Sequence, residues 1–124
     1  MSYKKNDIGK LRFDLIPPEG IEALAHAYTV GVKEGHSERA WEEGGSWMRL
    51  FAALMRHAWK WARGEDLDSK SGIHHMASVA FYAMALITYG ARGVKGDDRR
   101  GDAPYAGHKT VMPYRSINPW YYLR

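Results

Sequence analysis

Apolar side chains recur at helical spacing in three stretches of the chain. Ile21, Leu24, Ala25, Tyr28 and Val32 form the first, and Trp47, Leu50, Phe51, Leu54, Ala58 and Trp61 the second. In the second, Arg49, Arg56, Lys60 and Arg63 fall on another face, so the pattern is that of an amphipathic helix. The third stretch, with Met76, Ala77, Val79, Ala80, Phe81, Met84, Leu86 and Ile87, is apolar nearly all round. Such a helix belongs in the centre of a domain or at a subunit interface, and in a short chain at both.

The punctuation between these stretches sets the expected limits. Pro17-Pro18 places a proline in the first turn of the first helix, where its missing N–H costs nothing, and Glu19 suits the positive end of the helix dipole. That helix is expected to run past Gly31 and Gly35 to about Glu43. Gly44-Gly45 breaks it, and Ser46 is the expected N-cap of the second helix. The third is expected from about Gly72 to Tyr89, with Ser71 as a cap and Gly90 as its stop. Residues 1–16 read as extended, 93–107 as a loop, and Tyr114 to Arg124 as an aromatic tail that docks on this subunit or a neighbour. The expectation is an all-α fold: a small bundle of three to four main helices with an extended N-terminal segment and a C-terminal tail. It is one domain over 1–124, with the core at about 10–90 and 91–124 as loop and tail, assembled as an oligomer.

Composition narrows the function. A chain of 124 residues has room for one domain and a core, and with no cysteine it has neither disulfides nor thiolate ligands nor a thiol nucleophile. Eighteen Lys and Arg against 14 Asp and Glu give a formal +4, which suits an anionic partner without choosing one. The uncharged run from Met76 to Ala91 falls short of the ~20 residues that cross a bilayer. A soluble, cytoplasmic protein with no membrane association is expected.

The acids carry the chemical signal. Glu34 and Glu38 stand one helical turn apart, and residues 39–64 separate them from Glu65 and Asp68, which have a similar spacing if helical. Two such pairs on adjacent antiparallel helices would make an oxygen-lined cage of the kind Mg²⁺ or Mn²⁺ prefers. Either pair alone is ordinarily a solvated face. Their conjunction around a helix with a basic face is what makes them candidate ligands.

The Glu34, Glu38 … Glu65, Asp68 pattern resembles the paired carboxylate signature of the all-α nucleoside triphosphate pyrophosphatases, the MazG-like superfamily. Gly35 stands where that signature carries a further glutamate. A closer resemblance covers residues 10 to about 89. Lys10-Leu11-Arg12-Phe13-Asp14-Leu15-Ile16-Pro17-Pro18, Arg56-His57, Gly64-Glu65 with Asp68, and Ser71-Gly72 with His75 are similar to the phage dATP/dGTP diphosphohydrolase (MazZ-like) family. The resemblance implies cleavage of a purine deoxynucleoside triphosphate, dGTP or dATP, to its monophosphate and pyrophosphate. It also implies assembly as a homodimer or homotetramer.

Attack of water at the α-phosphorus needs an activated nucleophile and neutralisation of the leaving pyrophosphate, for which two or more Mg²⁺ or Mn²⁺ ions are suited. On this reading Glu34, Glu38, Glu65 and Asp68 are the metal ligands, and Glu38 and Glu65 the catalytic carboxylates, Glu38 also orienting the water. Lys10, Arg12, Lys33, Arg56 and Lys60 are the candidate phosphate contacts. His57, Ser71 and His75 are candidate polar contacts, and Trp41 a stacking face for the base. Each has a plainer alternative: solvated charge for the cations, a satisfied core position for the histidines, core packing for the tryptophan. The competing class is a small basic helical module that binds nucleic acid through Arg49, Arg56, Lys60 and Arg63. Acids inside the basic region disfavour it.

Overall fold

The protein was analysed as a computed structural model that describes residues 4–33 and 39–101, excepting the side chains of residues 32 and 33. The described residues are all-α, with three helices: α1 (Pro18–Lys33), α2 (Trp47–Ala62) and α3 (His75–Arg92). Pro18 is the first helical residue of α1, as its missing N–H allows, and Glu19 lies in the first turn. Residues 40–43 form a short 3-10 turn rather than a continuation of α1. Among the described residues the N-terminal segment carries no strand; Phe13–Leu15 makes a second 3-10 turn, all of it exposed.

Ser46 caps α2, its hydroxyl accepting the Arg49 N–H at 3.2 Å. Asp98 reinforces this end from the loop after α3, accepting from the Ser46 hydroxyl and from the Met48 N–H at 2.9 Å. The Trp47 N–H meets the Gly96 carbonyl at 3.1 Å. This return of the chain requires glycine at position 96, where φ is 122° and a Cβ would stand 1.9 Å from the Gly45 carbonyl oxygen.

The limits of α3 lie three residues beyond those expected. Its N-cap is His74, whose Nδ1 accepts the Met76 N–H at 3.0 Å, and not Ser71. It ends at Gly93 in the left-handed region, not at Gly90, and the Val94 N–H returns to the Tyr89 carbonyl at 2.9 Å.

As its apolar circumference implied, α3 is central and packs on both α1 and α2. Trp47 at the start of α2 packs with Ala85 and Tyr89 towards the end of α3, which makes the two helices antiparallel. Tyr89 is 2% exposed and anchors the core: its ring lies 6.1 Å from Trp47 and 6.5 Å from Trp41, and its hydroxyl donates to the Trp41 carbonyl. Burial raises its pKa. Tyr28 brings α1 in through Phe81, at 4.7 Å between ring centroids. Phe51 and Trp61, at the shoulders of the expected stripe, remain exposed. With Met48, Met55 and Trp59, Phe51 leaves α2 a second, uncovered apolar face.

Candidate active site

The antiparallel pairing of α2 and α3 brings residues distant in sequence to one end of the bundle. His57 on α2 meets His75 in the first turn of α3, with their Nδ1 atoms 2.9 Å apart. His75 is fully buried, and its Nε2 lies 2.7 Å from Glu65 Oε1. A glutamate oxygen there accepts the Nε2–H, leaving the His75 Nδ1 lone pair directed at His57. The His57 ring stacks on Tyr82 at 6.1 Å.

Glu65 and Asp68 are not on a helix. They belong to the connection that follows α2, and its own hydrogen bonds shape it. Asp68 Oδ1 accepts the Lys70 N–H at 2.8 Å and the Ser71 N–H at 3.3 Å, while its carbonyl accepts the Gly72 N–H at 2.8 Å. An antiparallel bridge joins Leu67 to His74, and the His75 N–H donates to the Asp66 carbonyl at 2.8 Å. These bonds clamp the loop onto the start of α3 and deliver Asp68 to the histidines. One potential ligand atom from each of His57, Asp68 and His75 lies within 4.8 Å of the others, a grouping able to hold a metal ion.

The electrostatics follow from these contacts. The backbone N–H of Lys70, then that of Ser71, hold the Asp68 carboxyl below its usual value, with Lys60 adding to the effect. His57 is pushed down, first by burial and then by His75, Lys60 and Arg56, against an opposing pull from Asp68. Both are therefore biased to the forms that bind cations: carboxylate and neutral imidazole. Arg56 and Lys60 stand exposed on α2 beside them.

The other sequence candidates distribute as follows. Ser71 belongs to the same connection, its hydroxyl accepting the Ile73 N–H at 3.2 Å. Trp41 is half-buried in the aromatic core, edge-on to Tyr28 with Arg92 over its ring. Lys10 and Arg12 lie on the exposed N-terminal segment, Arg12 in a two-point pair with Asp14 at 2.8 and 2.7 Å. Glu34 and Glu38 lie outside the described residues, as does the Lys33 side chain. Sequence reasoning had all four members of the cluster but assigned the histidines to polar contacts rather than to metal ligation. The signal that groups them is the pairing of His57 with the α3 N-terminus, which no local spacing reveals.

Fold and cluster together define a small all-α protein with a histidine–carboxylate centre at one end of an antiparallel helix pair. The chain belongs to the family described as dATP/dGTP diphosphohydrolase, N-terminal, whose model matches residues 2–99. A protein named dATP/dGTP diphosphohydrolase from Salmonella phage PMBT28 is 30% identical over 107 residues, covering 86% of this chain. The chain spans only 36% of that relative's length. No solved structure matches it significantly. Among the described residues no helix is long and apolar enough to cross a membrane.

Proposed function

We propose that this chain hydrolyses a purine deoxynucleoside triphosphate, dGTP or dATP, to its monophosphate and pyrophosphate. The observation that carries the reading is the Glu65, His75, His57, Asp68 cluster flanked by Arg56 and Lys60. Family membership and the name of the phage relative supply the substrate class.

The donor set is compatible with a divalent cation, since an ionised carboxylate and neutral imidazoles converge. Mn²⁺ accepts both ligand types, and Mg²⁺ would favour the carboxylates Glu65 and Asp68, joined by Glu34 and Glu38. Two or more such ions, when bound, supply Lewis-acid charge at the phosphate oxygens. The chain's own groups do the rest. Arg56 and Lys60, with Lys33, Lys10 and Arg12 as further cations, neutralise the triphosphate and the leaving pyrophosphate. Glu38 and Glu65 are the carboxylates assigned to catalysis, with Glu38 orienting the attacking water. His75, buried and held by Glu65, supports His57 from behind, and Ser71 braces the loop. Trp41 is assigned to stack the base with the part of its ring that Tyr28, Tyr89 and Arg92 leave open.

The uncovered face of α2, with Trp59 62% exposed, favours a homodimer or homotetramer, in a cytoplasmic setting where nucleotides are found. Incubation with each of the four dNTPs and Mg²⁺ or Mn²⁺, with the products resolved by chromatography, tests the activity. Monophosphate and pyrophosphate from purine substrates, lost in Asp68→Ala, are expected. Absence of turnover of every triphosphate overturns the proposal.

A further inference from the structure

The two histidines present a chemical problem that oxygen-ligand chemistry does not address. Their Nδ1 atoms face each other at 2.9 Å, one on a fully buried ring. In the ion-free chain His57 donates its Nδ1–H to the bare His75 Nδ1 as an ordinary hydrogen bond, and a cation that displaces that proton would meet a nitrogen lone pair from each ring. Glu65 decides the tautomer of His75. By taking the Nε2–H at 2.7 Å it leaves Nδ1 bare, the arrangement in which a carboxylate orients a metal-ligating imidazole from behind.

The spacing also has a metrical meaning. Two nitrogens bound to one ion at about 2.0–2.1 Å stand about 2.9 Å apart at a right angle and about 3.4 Å apart in a tetrahedron. The observed 2.9 Å is that of a hydrogen bond and equals the right-angle value, so a six-coordinate ion fits without moving the rings and a tetrahedral one needs them to part by about 0.5 Å. Asp68 supplies the third point. Its Oδ1 is engaged by the Lys70 and Ser71 N–H groups, which fixes the carboxylate plane and leaves Oδ2 for a ligand. The two imidazoles come from different helices and the carboxylate from the clamped loop, so the three donors are positioned before an ion arrives.

We propose that His57 Nδ1, His75 Nδ1 and an Asp68 carboxylate oxygen form a site for one nitrogen-preferring transition ion of the Zn²⁺, Co²⁺ or Ni²⁺ class, with Glu65 as the positioning carboxylate behind His75. Two imidazole nitrogens and one oxygen select such an ion over Mg²⁺, which demands oxygen ligands and sheds water reluctantly. The site is thus distinct in preference from a carboxylate cage, although Asp68 can contribute to both. It stands on the geometry of the triad and not on the proposed activity.

The test uses the full chain freed of metal with a chelator and titrated with Co²⁺, followed by its visible ligand-field absorption. Saturation at one ion per chain is expected, with displacement by Zn²⁺ and none by a roughly 100-fold excess of Mg²⁺. Asp68→Asn and His57→Gln, verified as helical by circular dichroism, should each abolish the band. Glu65→Gln should weaken binding by roughly 10–100-fold without removing it. In the unmutated protein Zn²⁺ should shift the Nδ1 resonances of both histidines in a long-range ¹H–¹⁵N spectrum, a readout independent of any variant's folding. No saturable band, displacement by Mg²⁺ at equal concentration, or shifts confined to other histidines would each overturn the proposal. A cobalt site in a protein that hydrolyses no triphosphate would sustain this inference while refuting the activity, and turnover without a cobalt site would do the reverse.

Discussion

Replacing His75 separates its part in the fold from its part in the site. The ring is fully buried and bonded at both nitrogens, to Glu65 at 2.7 Å and His57 at 2.9 Å. Phenylalanine fills nearly the same space but bonds to neither. The bond to His57 is worth about 1 kcal/mol net, and a bond to a charged group about 1.5–3 kcal/mol. The Glu65 side chain is 47% exposed and re-solvates when released, which puts its share at the low end of that range. His75→Phe should therefore cost about 2–3 kcal/mol. His75→Ala loses the same bonds and adds a cavity, for about 4–5 kcal/mol in all. Urea unfolding followed by tryptophan fluorescence gives both numbers, provided the slope is unchanged between variants. His75→Phe should remain folded and yet lose triphosphate hydrolysis. Equal destabilisation by the two substitutions would refute the reasoning, because it would mean that the ring occupies no packed space. A fully active His75→Phe would refute its place in the site.

Further outcomes follow from the same structure. Burial and the neighbouring His75 hold His57 below its ordinary 6.5, so the metal-free native chain binds fewer protons there than the unfolded one. Its contribution to stability is complete above the unfolded value and is lost as pH falls through the lowered folded one; His57→Gln should flatten part of the fall in Tm between about pH 7 and 5. Gly96→Ala should cost at least about 1–3 kcal/mol from its backbone conformation alone, with the clash against the Gly45 carbonyl in addition. Gly101→Ala, which meets nothing within 4 Å among the described residues, should leave the urea midpoint unchanged. Ser46→Ala removes the cap of α2 and should cost about 0.5–2 kcal/mol in the same assay.

The parts of the fold legible in the sequence are those set by short-range physics. The three apolar repeats became α1, α2 and α3, and the Gly44-Gly45-Ser46 break became the cap of α2. At α3 both limits differ from expectation because the residue type at a position does not decide which neighbouring groups take up its backbone hydrogen bonds. Ser71 has the chemistry of a cap, but Asp68 draws its N–H into a loop turn, and the Leu67–His74 bridge delays the helix to His75. Gly90 has the composition of a stop, yet the helix runs on to Arg92 and turns only at Gly93, whose left-handed backbone lets the Val94 N–H reach the Tyr89 carbonyl. The carboxylates Glu65 and Asp68 were visible by type and spacing. Their surroundings were not, since the histidines that join them come from two helices and only the antiparallel packing of α2 on α3 brings Nδ1 to Nδ1. Trp41 shows the converse: an aromatic named for base stacking is largely occupied with Tyr28, Tyr89 and Arg92.

The most direct test of the account is to run the reaction in ¹⁸O-labelled water with dGTP and dATP and weigh both products. Attack at the α-phosphorus places one labelled oxygen on the deoxynucleoside monophosphate and none on pyrophosphate, and that is the predicted result. Label in the pyrophosphate, release of inorganic phosphate instead, or recovery of unreacted triphosphate would contradict it.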